Sequence, residues 1–362
     1  MTARMFSDRE KLVAFLKWYS VIVLPVTAIC AMQFMDSSLT GSLNRYAWQD
    51  PSGGEGNVAG FVDSTGTNYV RVTGTFSYIS GLSVYLPVVF ALLLGLISLK
   101  STKQMPRALR LLLYVGIGSV TVAAFMTGSR GAVFPIALTM AFFYFFSPIK
   151  HLFKRFREVA VIGVVVYVCF SQAFPQAYDA FTTRAFGSDQ EVNEGVGRIL
   201  ISFTLPAEEA KRAGALGYGI GLTQNAVPAI SRLLGIQNPA ERLPLNPEAE
   251  PGRIMMETGL MGFILYMLVR ILVFATLLRV CLLIRDPESK AMAVAIFGVV
   301  ILQLIMGGAI INHTQGVYQW ALAGIPLGLL NAERLAARAI KFASPLANPH
   351  HRTSMASGMS AV

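Results

Sequence analysis

Charge is what this sequence has least of. Only 14% of its 362 residues are charged, against about a quarter in a soluble globular chain, while 54% are apolar and the mean hydropathy is +0.55. That scarcity excludes most water-soluble enzymes, coiled coils, collagen-like chains and disordered proteins. Cysteine is nearly absent too: Cys30, Cys169 and Cys281 fall inside or at the end of apolar runs, with no Cys-x-x-Cys or Cys/His clustering, and read as small core residues. There is no P-loop, Gly-x-Ser-x-Gly or His-Glu-x-x-His, and no Asp-x-Asp on any outer loop. A divalent-metal site is therefore not expected, and no cofactor is implied. No internal repeat is visible, and low-complexity sequence is confined to Pro51–Gly60 and the tail after Ser344.

What the sequence has instead is apolar runs near the span of a bilayer, at Leu12–Met35, Ile79–Leu99, Leu111–Met126, Ala132–Phe146, Val159–Phe174, Leu260–Leu278, Ala291–Ile311 and Val317–Leu330. They predict an all-α, polytopic membrane protein of about eight transmembrane helices. Four of the runs are shorter than the usual ~20 residues, so they recruit flanking polar residues or one of them is re-entrant, the pair around Thr127–Gly131 being the first suspect. The net charge of +10 and pI near 9.6 then record orientation rather than nucleic-acid binding, because cytoplasmic loops retain Lys and Arg. Eighteen of the 30 basic residues lie in the N-terminus, the 2–3, 4–5 and 6–7 loops and the C-terminal tail. The alternate connections hold only Arg45, Arg71 and Arg130 among them, outside the long loop. Both termini are thus expected to be cytoplasmic.

The expected division is an N-terminal bundle of five helices (1–174), one long extracytoplasmic loop with short helices (175–258), a C-terminal bundle of three helices (259–335) and a cytoplasmic tail (336–362). The first run follows a basic stretch without a persuasive cleavage site and reads as a retained anchor. Within the long loop, Pro206–Gly214 and Ala226–Leu234 show short helical spacing and are expected on the membrane surface.

The outer face offers arginine repeatedly, which suits an anion. Arg71 precedes span two and is either an interfacial anchor or a guanidinium aimed into an outer vestibule. Arg130, in Thr127-Gly-Ser-Arg-Gly131, lies so near the membrane that a wet, functional cavity is the favoured reading, with Ser129 and the backbone N–H groups at the start of span four as further donors. Arg184 and Arg198 follow in the long loop, then Gly217-Tyr-Gly-Ile-Gly221, which marks a tight turn and follows no predicted strand. Glu248, Glu250, Arg253 and Glu257 cluster at the boundary of span six. On a helix beginning near Pro251, Arg253 and Glu257 share a face, as a helix-start ion pair or as part of a site with a general base. His313, in the short 7–8 loop, either bonds a backbone group or takes part in the site.

In their order these pieces resemble the O-antigen ligase/polymerase family, bacterial inner-membrane glycosyltransferases. The resemblance runs through Asn44-Arg45-Tyr46, Arg71–Phe76, Ser129-Arg130-Gly131, Arg184, Arg198, Gly217–Gly221 and Glu257-x-Gly259-x-x-Gly262, over about residues 12–330. It implies a GT-C-like fold, an undecaprenyl-diphosphate-linked glycan donor, a glycan or lipid-linked acceptor, other polysaccharide-assembly proteins as partners, membrane lipid and no nucleic acid. The ligase branch carries His-(Asn/Ser/Gln)-x9-Gly-x-x-Gly, and here Glu248 stands where that histidine would be, which points to the polymerase-like exopolysaccharide branch. Family members typically have ten or more spans, so the chain is expected to be short at its N-terminus or to need a partner. With no metal ligands in view, arginine forks would neutralise the diphosphate: Arg130, Arg184 and the catalytic Arg198, with Arg71 lining the vestibule. Arg253, Glu257 and His313 would bind substrate, and Glu248 or Glu250 would act as base in an inverting transfer. The alternatives are a transporter or flippase of lipid-linked sugars using the same arginines, and a non-catalytic membrane scaffold.

Overall fold

The computed structural model describes residues 8–35, 43, 60–62, 68–76, 79–99, 106–148, 189–223, 227–237, 249–306 and 313–343, with isolated positions between 157 and 182. Its elements are helix α1 (Arg9–Met35), strands β1 (Gly60–Val62) and β2 (Asn68–Val70), and helices α2 (Ile79–Ser98), α3 (Arg107–Met126), α4 (Arg130–Phe146), α5 (Asp189–Ala213), α6 (Val227–Leu234), α7 (Glu250–Leu283), α8 (Pro287–Met306) and α9 (His313–Ala343). Five of these, α1, α2, α3, α7 and α8, are long and apolar enough to cross a membrane, and α4 is a shorter apolar helix. That make-up is a membrane-embedded helical protein.

The core is built around α2 and α8. Both are apolar all round, as fully enclosed helices must be, and 89% and 83% of their most apolar windows are buried. They meet closely at Gly95, where an added methyl group would lie 3.0 Å from Met292 Cγ, and Ala291, Ala293 and Ala295 of α8 are fully buried. Close backbone approach of this kind replaces the hydrophobic drive that lipid does not supply. Helices α4 and α9 pack on both, α3 on α2, and α1 mainly on α3. Only 11% of the corresponding window of α7 is buried, so that span lies at the edge with its leucines and isoleucines outward.

Local chemistry sets the helix starts. Asp8 Oδ1 accepts the N–H groups of Glu10 (3.1 Å) and Lys11 (3.4 Å) at the head of α1, and the Lys11 amide, then its ammonium, holds the Asp8 carboxyl below its ordinary range. Asp286 takes the Ser289 N–H (3.0 Å) and hydroxyl (2.7 Å) ahead of Pro287 in α8, with proline in the first helical position where its missing N–H costs nothing.

Several expectations are amended. The all-helical reading gains a short antiparallel ladder, Gly60 opposite Val70 and Val62 opposite Asn68, directly before Arg71. In the long loop the helix expected at Pro206–Gly214 runs over Asp189–Ala213, straight through Pro206. The last helix, expected as a span over Val317–Leu330, runs over His313–Ala343, past the expected boundary at 335, and is not among the five long apolar helices. Most of the fifth run, Val159–Phe174, lies outside the described residues. The turn at Thr127–Gly131 joins two ordinary helices; the doubling back occurs inside α7.

Candidate functional site

The first cluster forms where the β-ladder delivers Arg71 to the α3–α4 turn. Two bonds from α1 fix the segment: Gly74 N–H donates to Gln33 Oε1 (2.8 Å) and Gln33 Nε2 donates back to the Gly74 carbonyl (3.2 Å). Gly74 has φ +61°, and a side chain there would meet the buried Cys30 sulfur at 3.0 Å, so the clasp needs glycine. From this anchored strand Arg71 Nη2 donates to the Gly128 carbonyl at 3.3 Å, while its buried Nε has no hydrogen-bond partner among the described residues. The turn is shaped by Thr127, whose hydroxyl donates to the Ala124 carbonyl (2.7 Å) and accepts the Ser129 N–H (3.1 Å), and by Gly128 at φ +58°. Ser129 stands at the N-cap of α4, yet its hydroxyl makes no capping bond. Arg71 is thus held at the turn that opens α4, whose first residues are Ser129 at the N-cap and Arg130, a helix start where unpaired N–H groups favour an anion. Replacing Gln33 with leucine removes both bonds to Gly74, at a cost of about 1–3 kcal/mol for the pair; a thermal-unfolding midpoint lowered in detergent is the expected reading.

The second cluster is a broken helix. Gly259 sits in α7 with φ 65° and ψ −168°, separating Glu250–Thr258 from the long span. A straight helix would hold Glu250 and Tyr266 about 24 Å apart, yet the Tyr266 hydroxyl donates to Glu250 Oε1 at 2.7 Å. The half-helix therefore folds back along the span. Arg270 Nη2 lies 3.7 Å from the same carboxylate oxygen and donates to the Gln303 carbonyl (3.4 Å) in the last turn of α8, where orphan carbonyls favour a cation. Its guanidinium also stacks 4.6 Å above the Tyr266 ring. Gln315 Nε2 of α9 donates to the same Gln303 carbonyl (3.3 Å). One apolar-phase ion pair thus ties the half-helix, the span, α8 and α9 together.

A helix broken in an apolar setting must find other partners for its backbone, and the loop after α5 supplies them. Tyr218 and Gly219 N–H donate to the Met256 and Glu257 carbonyls (2.8 and 3.0 Å), while Leu260 and Met261 N–H donate to the Gly214 and Ala215 carbonyls (3.0 and 3.2 Å). Backbone approach is so close that a methyl group at Gly217, itself at φ +72°, would lie 2.5 Å from the Gly259 nitrogen. Side chains complete the clamp: Glu257 accepts the N–H groups of Gly221 and Thr223 (both 3.0 Å) and the Thr223 hydroxyl, and Arg253 Nη1 donates to the Thr223 carbonyl (3.1 Å).

The structure thus brings Arg71 to the turn that carries Arg130, and Arg253 together with Glu257 on one loop. Glu250 is placed against Arg270 and Tyr266, while Glu257 is held by the Gly221–Thr223 loop. Arg198 lies on α5 and His313 is the first residue of α9 rather than a loop residue; Glu248 and Arg184 lie outside the described residues. Sequence reasoning missed Gln33, Tyr266 and Arg270 as partners. Arg270 had a signal, being a charge inside an apolar run, and such residues pair within the protein. Among the described residues, no group of three or more His, Cys, Asp or Glu side chains is placed to hold a metal ion.

Compared with known proteins, the chain matches no protein-family model, no curated protein and no solved structure. The family resemblance rests on the order of its sequence pieces.

Proposed function

We propose that this protein polymerises or ligates undecaprenyl-diphosphate-linked glycan units at the outer face of a bacterial inner membrane, by a metal-independent, inverting transfer of the O-antigen ligase/polymerase type. The supporting observation is the bond from Arg71 to the Gly128 carbonyl. It joins two arginine-bearing pieces 57 residues apart at one helix start, as a diphosphate site requires. In this reading Arg71 and Arg130, with Arg184 and Arg198 from the long loop, neutralise the diphosphate. The acceptor hydroxyl oxygen attacks the donor's anomeric carbon, the bond from that carbon to the diphosphate oxygen breaks, and undecaprenyl diphosphate leaves with the electron pair. A carboxylate takes the hydroxyl proton. Because Glu250 is buried and held by Tyr266 and Arg270, we assign the base to Glu248 and give Glu250 the task of anchoring the half-helix that follows it.

One observation favours the flippase alternative: transporters use discontinuous helices, and α7 is broken at Gly259. Reconstitution in liposomes with a lipid-linked oligosaccharide separates the two, since only the proposed enzyme makes new glycosidic bonds. In that assay Arg130→Lys should lower product roughly 10- to 100-fold, the worth of a lost charge-assisted fork, at unchanged protein level. Arg334→Lys, on the exposed end of α9, should be silent. Full activity of Arg130→Lys removes Arg130 from the site.

A further inference from the structure

The loop that clamps the broken helix wears its polarity inside out. Leu216, Ile220, Leu233, Leu234 and Ile236 are 78%, 89%, 86%, 63% and 56% exposed, whereas on α6 it is Ser231 that is buried, at 3%. In water that arrangement is costly, since the apolar area stays hydrated. Exposed large apolar side chains gathered in this way mark a contact surface, and the position of the loop says with what. The bonds from Leu260 and Met261 to the Gly214 and Ala215 carbonyls fix Leu216 beside the first turn of the α7 span. That turn continues into Leu260, Met261, Ile264 and Leu265, all of them exposed, the face of a membrane-crossing helix that meets lipid. Leu216 and Ile220 add exposed apolar side chains on the loop bonded to that turn, and Arg232 on the short helix is the cation such an interfacial segment carries.

We infer that residues 216–220 and the leucine face of α6 dip into the acyl-chain boundary of the bilayer, so that the clamp on the broken helix is also a membrane wedge. The occupant is the lipid itself. This inference does not rest on the glycan reading and holds equally for a transporter or a scaffold.

Site-directed spin labelling of the full chain in phosphatidylcholine vesicles with a minority of phosphatidylglycerol tests it. Nitroxides are placed at Ile220→Cys and Leu233→Cys, with Leu265→Cys on the span as the lipid reference and Glu208→Cys, an exposed position of α5, as the water reference; wild-type protein labelled in parallel sets the background. Positions 220 and 233 should match 265, with oxygen collisions several-fold more frequent relative to nickel-chelate collisions than at 208. A 208-like ratio at both positions overturns the inference. Shielding from both reagents also overturns it, in favour of a protein partner or a second copy.

Discussion

Arg270→Leu is expected to be the most damaging single substitution in the membrane-spanning part of the chain. Removing one partner of a buried ion pair leaves the other charge uncompensated, at a cost of about 3–5 kcal/mol, a large share of the 5–15 kcal/mol that holds a typical domain together. Glu250 is 3% exposed and cannot turn to water without unfolding the half-helix. Accumulation of folded protein, followed by size-exclusion chromatography in detergent, should collapse. Arg270→Lys should recover only part, because a lysine cannot face Glu250, the Gln303 carbonyl and the Tyr266 ring at once. The double variant Glu250→Gln/Arg270→Met removes both charges and should restore most of the accumulation. If Glu250 anchors rather than reacts, that double variant also retains glycan transfer. A well-folded but inactive double variant would move the base from Glu248 to Glu250.

A comparison of two glycines gives the second large effect. Gly214 and Gly217 both have positive φ, +63° and +72°, but a methyl group at Gly214 meets nothing within 4 Å while one at Gly217 runs into the Gly259 and Glu257 backbone. Alanine at 214 carries only the left-handed strain, roughly 1–2 kcal/mol. Alanine at 217 adds an overpacking cost of about 1–3 kcal/mol and pushes the loop off the break, exposing four backbone bonds together. The thermal midpoint should fall clearly further for Gly217→Ala than for Gly214→Ala. Equal losses would mean that the close approach at Gly259 contributes nothing.

The spans were legible because their signal is composition, and composition survives any tertiary arrangement: Ile79–Leu99 was read against Ile79–Ser98 observed. The start of the half-helix was legible too, since Pro251 in a first turn is a local preference. The expected start at Pro206 was too late, the helix beginning at Asp189. There Val192, Val196, Ile199 and Phe203 do recur at helical spacing, but Gly195, Gly197 and the proline masked that period, and packing of α5 along α7 sustains the helix through them. Leu205 against Gly252 is part of that contact. The fold-back that brings Glu250 to Arg270 was not legible, because one glycine's φ sets the chain direction and no periodicity reports it. Arg71 and Arg130 were each singled out from their nearness to apolar runs, but their common turn depends on a clasp by Gln33, an ordinary residue inside an apolar run.

The pairing of α2 with α8 sets the order in which this molecule can be made. About 190 residues separate the end of one from the start of the other, which is roughly 10–40 s of synthesis at ~5–20 residues per second. Through that interval Gly95 has no Met292 to receive, and the groove it forms is occupied by lipid tails. Because lipid is as apolar as leucine, α2 loses nothing hydrophobic by waiting; what it lacks until α8 arrives is the close packing at Gly95. Completion of the core therefore belongs to the late-made helices, so a ribosome halted before Pro287 leaves behind inserted helices without a centre rather than a finished bundle missing its edge.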